Sequence, residues 1–311
     1  MNAPTVEPVV RSSNESRLSR IDTFWGYLFI AAPLLGFIIF AAGPLVASLV
    51  LGFMRWDALR SPRWTGLDNW REMLFGDPLV WTAMYNTAFL LLGVPISLAL
   101  ALVVSLLMNQ SVFGARAFRV IYYLPNILPL AALALIWLWI FNPDFGLLNY
   151  SLRTLGLPVE WTRINWLQDR QTVKPALIIM GVWAGLGFQA LIYLAALQGV
   201  RRDLYEAAEV DGAGLWAKFW GVTWPALTPT TFFLLVTSLI GGFQTFVQPY
   251  IMTRGGPQYA STTLVMLIWQ NAFRDLQMGY ASAQAWLVGV VIIAITALNF
   301  ALARRWVFYE A

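Results

Sequence analysis

The chain has 311 residues, of which 59% are hydrophobic and only 12% are charged. This composition excludes a soluble domain of the same length and indicates an integral membrane protein. The sequence contains no cysteine and no histidine, which excludes disulfides, zinc sites built from those residues and imidazole acid–base catalysis. The net charge of +4 is not gathered into a basic cluster, so we expect no nucleic-acid partner.

From its N-terminus, the chain divides into a polar segment and a long apolar domain. Residues 1–22 are polar and mixed in charge, without an apolar run, and predict a flexible tail rather than a cleaved signal peptide. Six apolar runs follow, each with the roughly 20 residues that a helix needs to cross a bilayer. They cover residues 24–54, 82–108, 120–141, 175–197, 227–250 and 283–303. We therefore predict an all-α integral membrane domain over residues 23–311, with six transmembrane helices.

The six apolar runs contain no Asp, Glu, Lys or Arg. An ion-coupled secondary transporter usually keeps a charged partner for its coupling ion, and a membrane-embedded enzyme needs a nucleophile or an acid–base pair. Neither Lys174 nor Lys218 lies in a glycine-rich phosphate-binding loop. These absences disfavour both alternatives. We expect a transporter that is not an enzyme, has no cofactor or metal site and draws its energy from a separate subunit.

The connection between the fourth and fifth runs, residues 201–225, is rich in charge. Asp203, followed three residues later by Glu206, predicts a capping box at the start of a short helix. Gly212 predicts a left-handed end to that helix, and a second short helix is expected to continue towards Phe219. The connection therefore predicts a helix, a sharp turn and a helix between two spans.

Two roles suit the first of these helices. Ala207 and Ala208 are small enough to let the surface of another protein approach the backbone, and Glu206 and Glu209 would find cations at the rim of that contact. The alternative is a capped loop that touches only its own protein and the lipid headgroups.

Polar side chains at membrane depth are the candidates for a solute route. Gln244 and Gln248 are four residues apart in the fifth run, so we expect them to share one helix face. Amides next to aromatic rings suit a neutral polyol, which offers hydroxyl groups and an apolar C–H face. Asn126, Trp183 and Gln189 are weaker candidates. The alternative for each amide is a hydrogen bond between two helices.

The connection at residues 201–225 resembles a motif of a known family. The motif residues here are Glu206, Ala207, Ala208, Asp211, Gly212, Ala213 and Pro225. Their order and spacing are similar to the Glu-Ala-Ala loop of the membrane subunits of binding-protein-dependent ABC importers, although Val222 and Trp224 replace the usual Ile and Leu. In that family the loop is a cytoplasmic coupling helix, between spans four and five, that sits in a cleft of the ATPase subunit. The resemblance implies that Glu206 faces a cation of the ATPase and that the alanines provide the close-packed surface.

Other segments resemble the carbohydrate branch of these importers, the maltose-type sugar permeases. They are Gly66-Leu67-Asp68-Asn69, Tyr123-Leu124-Pro125, Phe243-Gln244 and Gly255-Gly256-Pro257. The resemblance implies that Gln244 and Gln248 line the route of a sugar or oligosaccharide. The second candidate cargo is glycerol-3-phosphate or another polyol. An anionic cargo would favour a cation along the route, and the six runs contain none.

The resemblance also implies an assembly and an orientation. The expected partners are a second permease subunit, a dimer of ABC ATPases that binds ATP, an extracytoplasmic solute-binding protein, the sugar itself and membrane lipid. Lysine and arginine divide equally between the two sides of a six-span topology, so the positive-inside rule does not choose an orientation. A coupling loop must face the cytoplasm to meet an ATPase. Both termini are therefore expected in the cytoplasm, and the chain in the cytoplasmic (inner) membrane of a bacterium or archaeon.

Overall fold

Helices make up most of the described part of the chain. The computed structural model describes residues 13–110, 115–156, 158 and 163–308. The helices are α1 Ser13–Phe37, α2 Gly43–Leu51, α3 Asp68–Arg71, α4 Pro78–Leu90, α5 Gly93–Met108, α6 Ala115–Ile127, α7 Leu130–Ile140, α8 Leu147–Thr154, α9 Val173–Gly199, α10 Arg202–Val210, α11 Leu215–Lys218, α12 Trp224–Phe243, α13 Val247–Met252, α14 Leu264–Trp269 and α15 Met278–Ala303. Wider π turns occupy Ile38–Ala42, Glu72–Gly76, Phe219–Thr223 and Gln270–Arg274. Two short strands, β1 Met54–Arg55 and β2 Arg63–Trp64, pair antiparallel.

Six segments are long and apolar enough to cross a membrane, and we number them spans 1 to 6 in chain order. Spans 1, 2, 4, 5 and 6 are Asp22–Leu51, Pro78–Met108, Val173–Gly199, Leu215–Phe243 and Met278–Ala303. Span 3 consists of the pair Val120–Ile127 and Leu130–Ile140, which is bent by 109°. The prediction of an all-α membrane protein with six spans is therefore confirmed, with one span broken.

Two helix starts differ from the sequence analysis. Helix α1 begins at Ser13, within the segment predicted to be a flexible tail, and residues 1–12 lie outside the described part of the chain. Span 5 begins at Leu215 and runs through the π turn without a break. The predicted second short helix is α11, Leu215–Lys218, but it is continuous with span 5 instead of being separate from it.

Span 3 is broken at Pro129 and is not one continuous helix. Helix α7 begins after Pro129, whose φ of −56° and ψ of 136° are not helical. Proline has no N–H for the helix ladder, and its ring disfavours a helical conformation of the preceding residue, Leu128. The continuous third span predicted over residues 120–141 is wrong for this reason.

Spans 2, 4 and 5 form the centre of the bundle. Ala101 and Ala190 are fully buried and pack with Tyr193, Leu197 and Leu227 in one apolar cluster. Small residues at a crossing allow two helices to approach closely, which is the usual way in which membrane helices gain packing energy. Span 4 is the most buried span, whereas the apolar window of span 1 is not buried by this chain.

Candidate functional site

Helix α10, which joins spans 4 and 5, begins two residues earlier than predicted. Its N-cap is Arg201, which makes no side-chain cap hydrogen bond. The capping box of Asp203 and Glu206 is therefore wrong. Instead, the Nε of Arg201 donates to Asp203 Oδ1 over 3.1 Å, and this guanidinium holds the pKa of the Asp203 carboxyl below its usual range. A carboxylate in the first turn still stabilises the helix through its dipole.

The end of α10 agrees with the prediction. Gly212 has φ +75°, the left-handed conformation that glycine adopts without a Cβ penalty. The N–H of Gly212 donates to Glu209 O over 3.0 Å and the N–H of Ala213 donates to Ala208 O over 2.8 Å. These two bonds form a Schellman motif. The chain therefore reverses sharply at Gly212 and enters span 5 almost at once.

Two contacts fasten α10 to the start of span 5. The Lys218 ammonium lies 2.6 Å from Glu209 Oε1, and the hydroxyls of Tyr205 and Thr223 are 2.9 Å apart. Glu209, which was expected to face a cation of another protein, therefore pairs within its own chain. These contacts and the short turn hold α10 against the start of span 5.

The remaining surface of α10 and its turn is open to solvent. Glu206, Ala207, Asp211 and Gly212 are exposed, while Ala208 and Ala213 are half-buried. Beside them lies an apolar group that the sequence analysis did not single out. Its members are Val210, Leu215 and Trp216, with exposed fractions of 89%, 86% and 76%. In the sequence, these apolar residues look like parts of the neighbouring spans. The turn at Gly212 shows that they lie beside α10.

Two of the predicted route residues make hydrogen bonds between helices. The Nε2 of Gln248 donates to the carbonyl of Leu177 in span 4. Gln189 Oε1 accepts from Ser97 Oγ over 2.5 Å, and its Nε2 donates to Ser238 Oγ over 3.2 Å. Both amides are buried. Their geometry matches the helix–helix alternative, and a place for them on a solute route stays a prediction.

Gln244 is separated from Gln248 by a break in the helix. Helix α12 ends at Phe243, and the N–H groups of Gln244 and Thr245 turn back to the carbonyls of a Gly-Gly pair, Gly241 and Gly242. The prediction that the two glutamines share one helix face is therefore wrong. Gln244 is exposed in the break, so its amide is accessible, whereas that of Gln248 is not.

Asn126 and Trp183 lie close together where span 3 crosses span 4. A Cβ on Gly187 would lie 2.0 Å from Tyr122 O and 2.8 Å from Asn126 Nδ2, so glycine is what allows this approach. Trp183 is one helical turn before Gly187, is 42% exposed and packs edge-on against Trp137 at 5.5 Å. The Nδ2 of Asn126 finds no acceptor among the described atoms. The crossing therefore contains a buried, unpaired amide donor at Asn126 and a partly exposed indole at Trp183.

The Gly-Gly-Pro segment is folded against span 2 and is not a free loop. Asn86 Nδ2 donates to the carbonyls of Tyr259 and Thr262 over 2.7 and 3.0 Å. Ser261, Thr262 and Thr263 are fully buried. The importance of Asn86 could not be read from the sequence, because its two acceptors follow it by more than 170 residues.

The comparisons with known proteins agree with this architecture. The sequence matches the family described as "Binding-protein-dependent transport system inner membrane component" over residues 80–307. It is 38% identical to "Probable ABC transporter permease protein YesP" of Bacillus subtilis (strain 168), covering 96% of both chains. It is 31% identical to "Lactose transport system permease protein LacF" of Rhizobium radiobacter, covering 94% of this chain and 99% of that one.

Among solved structures, the fold is similar to a chain from a bacterial ABC transporter involved in the import of the acidic polysaccharide alginate. The TM-score is 0.79 at 25% identity, and the match covers 93% of this chain and 99% of the other. The resemblance drawn from the Glu-Ala-Ala pattern is thus confirmed. The chain belongs to the family of inner-membrane components of binding-protein-dependent transport systems, as an ABC transporter permease.

Proposed function

We propose that this chain is the translocation subunit of an ATP-driven importer for a sugar or oligosaccharide, and that α10 is its coupling helix. The observation that carries the proposal is the geometry of α10. Its outer surface is exposed, yet Lys218 and Tyr205 fasten it to span 5. A helix placed in this way can receive a movement from another protein and pass it to the membrane spans.

The proposed docking surface combines charge with small and apolar side chains. Glu206 is exposed and pairs with a cation of the ATPase. Ala207 and Ala208 allow close approach of the ATPase surface, and Gly212 provides the turn. The exposed Val210, Leu215 and Trp216 supply apolar area beside this contact. Apolar and aromatic side chains are the usual composition of an interface centre.

The proposed route passes the two interrupted spans. Non-helical backbone at membrane depth is tolerated where protein covers it or where it lines a water-filled path. The breaks at Pro129 and Gln244 are of this kind. Asn126 and Gln244 offer amides there, and Trp183 offers a partly exposed ring. Amide donors and an aromatic face suit the hydroxyls and C–H face of a sugar. Gln189 and Gln248 would hold in place the helices that line the route.

The proposed assembly follows the family. A second permease completes the route, two ABC ATPases bind ATP, and a solute-binding protein delivers the cargo from outside the cytoplasm. The similar permeases named for lactose and alginate support a saccharide cargo. Because α10 must meet the ATPase, we place α10 and both termini in the cytoplasm and the chain in the cytoplasmic membrane.

Charge reversal at Glu206 tests the proposal. The tagged chain is purified from its native membrane in mild detergent, and the proteins that accompany it are identified by mass spectrometry. The wild type is expected to retain an ATPase and a second permease. Glu206→Lys is expected to lose the ATPase by more than about tenfold, because loss of one partner of a buried charge pair costs about 2–5 kcal/mol. The second permease is expected to remain.

The matched control is Asp144→Lys, which reverses an exposed acid at the opposite end of the spans. It should leave the bound ATPase unchanged. The proposal fails if no ATPase accompanies the wild type, or if Glu206→Lys retains as much of it as Asp144→Lys does.

A further inference from the structure

Lys174 is a charged residue within a membrane span. The fourth apolar run was predicted to begin at residue 175, but span 4 begins at Val173, so Lys174 lies in its first turn. Spans 2 to 6, where described, contain two charged residues, Lys174 and Lys218. Of these, Lys174 alone is at the end opposite α10. A lysine near the end of a span usually extends towards the membrane interface, whereas the Lys174 side chain contacts span 2.

The Lys174 ammonium is held by neutral groups from span 2. Its Nζ donates to Asn86 Oδ1 over 3.3 Å. The same nitrogen lies 4.6 Å from the centre of the Tyr85 ring and 5.0 Å from that of Phe89. Both distances are within the range at which a ring face attracts a cation. Asn86 is itself fixed by its bonds to two backbone carbonyls, so the ammonium has a defined position.

This ammonium has no counter-charge in the described part of the chain. No carboxylate lies within 4.0 Å of Lys174, whereas Lys218 lies 2.6 Å from Glu209. The nearby Arg170 adds a like charge that acts on the ammonium. An ammonium has three donors, and Asn86 accepts one. The arrangement therefore retains donors and positive charge for an anion.

Tyr85 lies at the surface of the chain, and Lys174 is half-buried. Its side chain is 59% exposed, although it lies next to the buried Asn86. An aromatic face beside an ammonium matches a molecule that carries an apolar C–H face next to an anionic group. Sugar acids and polyol phosphates have this chemistry, and neutral sugars lack the anion.

We propose that Lys174, Tyr85 and Asn86 form a subsite for the anionic group of the transported solute, a carboxylate, phosphate or sulfonate. The inference rests on the proposed import function and narrows its cargo to acidic saccharides or polyol phosphates. A lipid phosphate has the same anionic chemistry, so the test must separate a lipid from a solute. The ammonium would bind the anion, and the Tyr85 ring would pack against the adjoining C–H face.

Reductive methylation with formaldehyde and cyanoborohydride tests the subsite. The chain has two lysines, Lys174 and Lys218, so peptide mass spectrometry can follow both in one sample of the complete transporter. The transporter is placed in phosphatidylcholine nanodiscs, without nucleotide and with ATP plus vanadate. Glucuronate, galacturonate and sn-glycerol 3-phosphate are compared with glucose, galactose and glycerol. Lys218, at the other end of the spans and paired with Glu209, is the internal control.

We expect at least one acid to slow methylation of Lys174 in at least one nucleotide state. At an acid concentration about ten times its Kd, the rate should fall by about tenfold, because only the unoccupied site reacts. Its neutral counterpart and the rate at Lys218 should show no change. Equal rates with every acid and its counterpart would overturn the subsite. The subsite would also be overturned if Lys174 is protected only in nanodiscs that contain phosphatidylglycerol, because the bound anion would then be a lipid. A Lys174 side chain that never reacts would overturn it as well. These outcomes do not depend on ATPase docking, which the Glu206 experiment measures separately.

Discussion

Replacing Gly212 by valine is expected to reduce both the amount of ATPase bound and the rate of ATP hydrolysis by the reconstituted complex by about tenfold or more. Gly212 has φ +75°, a conformation that costs an L-residue about 1–2 kcal/mol and a β-branched residue more. The valine would force the turn out of this conformation. The two Schellman hydrogen bonds at the end of α10 would break, and the docking surface would no longer have a fixed orientation relative to span 5. A change of 1.4 kcal/mol in binding is about tenfold.

Gly214→Val is the matched control for this substitution. Neither glycine has any atom within 4 Å of an added Cβ, so neither change produces a clash. Gly214 has φ −72° and ψ 176°, an extended conformation that valine accepts. The two variants therefore differ in backbone conformation and not in space. Equal loss of ATPase binding in both would contradict the role of the left-handed turn.

Replacing Gly187 by alanine is expected to destabilise the crossing of spans 3 and 4. The added Cβ would lie 2.0 Å from Tyr122 O, and a backbone oxygen cannot rotate away as a side chain can. The helices must separate, which typically costs about 1–3 kcal/mol in a packed interior. A loss of this size lowers the unfolding midpoint by about 2–4 °C per kcal/mol in a protein of 150–250 residues. Tryptophan fluorescence during heating of the purified complex measures the midpoint.

Gly181→Ala supplies the comparison on the same helix. Its Cβ would meet the Gln248 amide at 3.7 Å, which is ordinary van der Waals contact. Alanine also favours a helix by about 1 kcal/mol over glycine, so Gly181→Ala should leave the midpoint unchanged or raise it. A Gly187→Ala protein as stable as Gly181→Ala would show that the two spans do not cross as closely as described.

The number of spans could be predicted from the sequence, but their continuity could not. Runs of about 20 apolar residues identify segments that cross a bilayer, and the same apolar residues occur on both sides of each break. Pro125 and Pro129 both lie in the third run, yet Pro125 is inside α6 and Pro129 starts a new helix. Which proline ends a helix depends on the neighbouring spans, and a single sequence does not contain that packing.

At α10, the sequence predicted the end of the helix and not its beginning. A left-handed glycine has few substitutes, so Gly212 was a strong local signal. The carboxylate of Asp203 could either cap the helix or pair with the guanidinium of Arg201, and the pair formed. The choice between two such local partners depends on the direction in which the chain leaves span 4. That direction is a tertiary property.

The polar residues of the spans show the same limit. The spacing of Gln244 and Gln248 predicted a shared face only if the helix continued, but α12 ends at Phe243 and α13 begins at Val247. Lys174 was assigned to a connection because the fourth apolar run was taken to begin at Pro175, although proline is accepted in the first turn of a helix. Its contacts with Tyr85 and Asn86 join spans that are far apart in sequence. The absence of a carboxylate beside Lys174 in the described part of the chain could therefore be recognised only in the structure.

Site-specific crosslinking from α10 tests most directly whether this helix contacts an ATPase. The chain has no cysteine, so Ala207→Cys provides a single attachment point for a photoactivatable maleimide on the exposed surface of α10. Ser61→Cys, exposed in the connection at the opposite end of the spans, is the control. In native membranes, light should join the ATPase to the chain from position 207 and not from position 61. Absence of the ATPase from the products at position 207, or equal capture at both positions, would contradict coupling through α10.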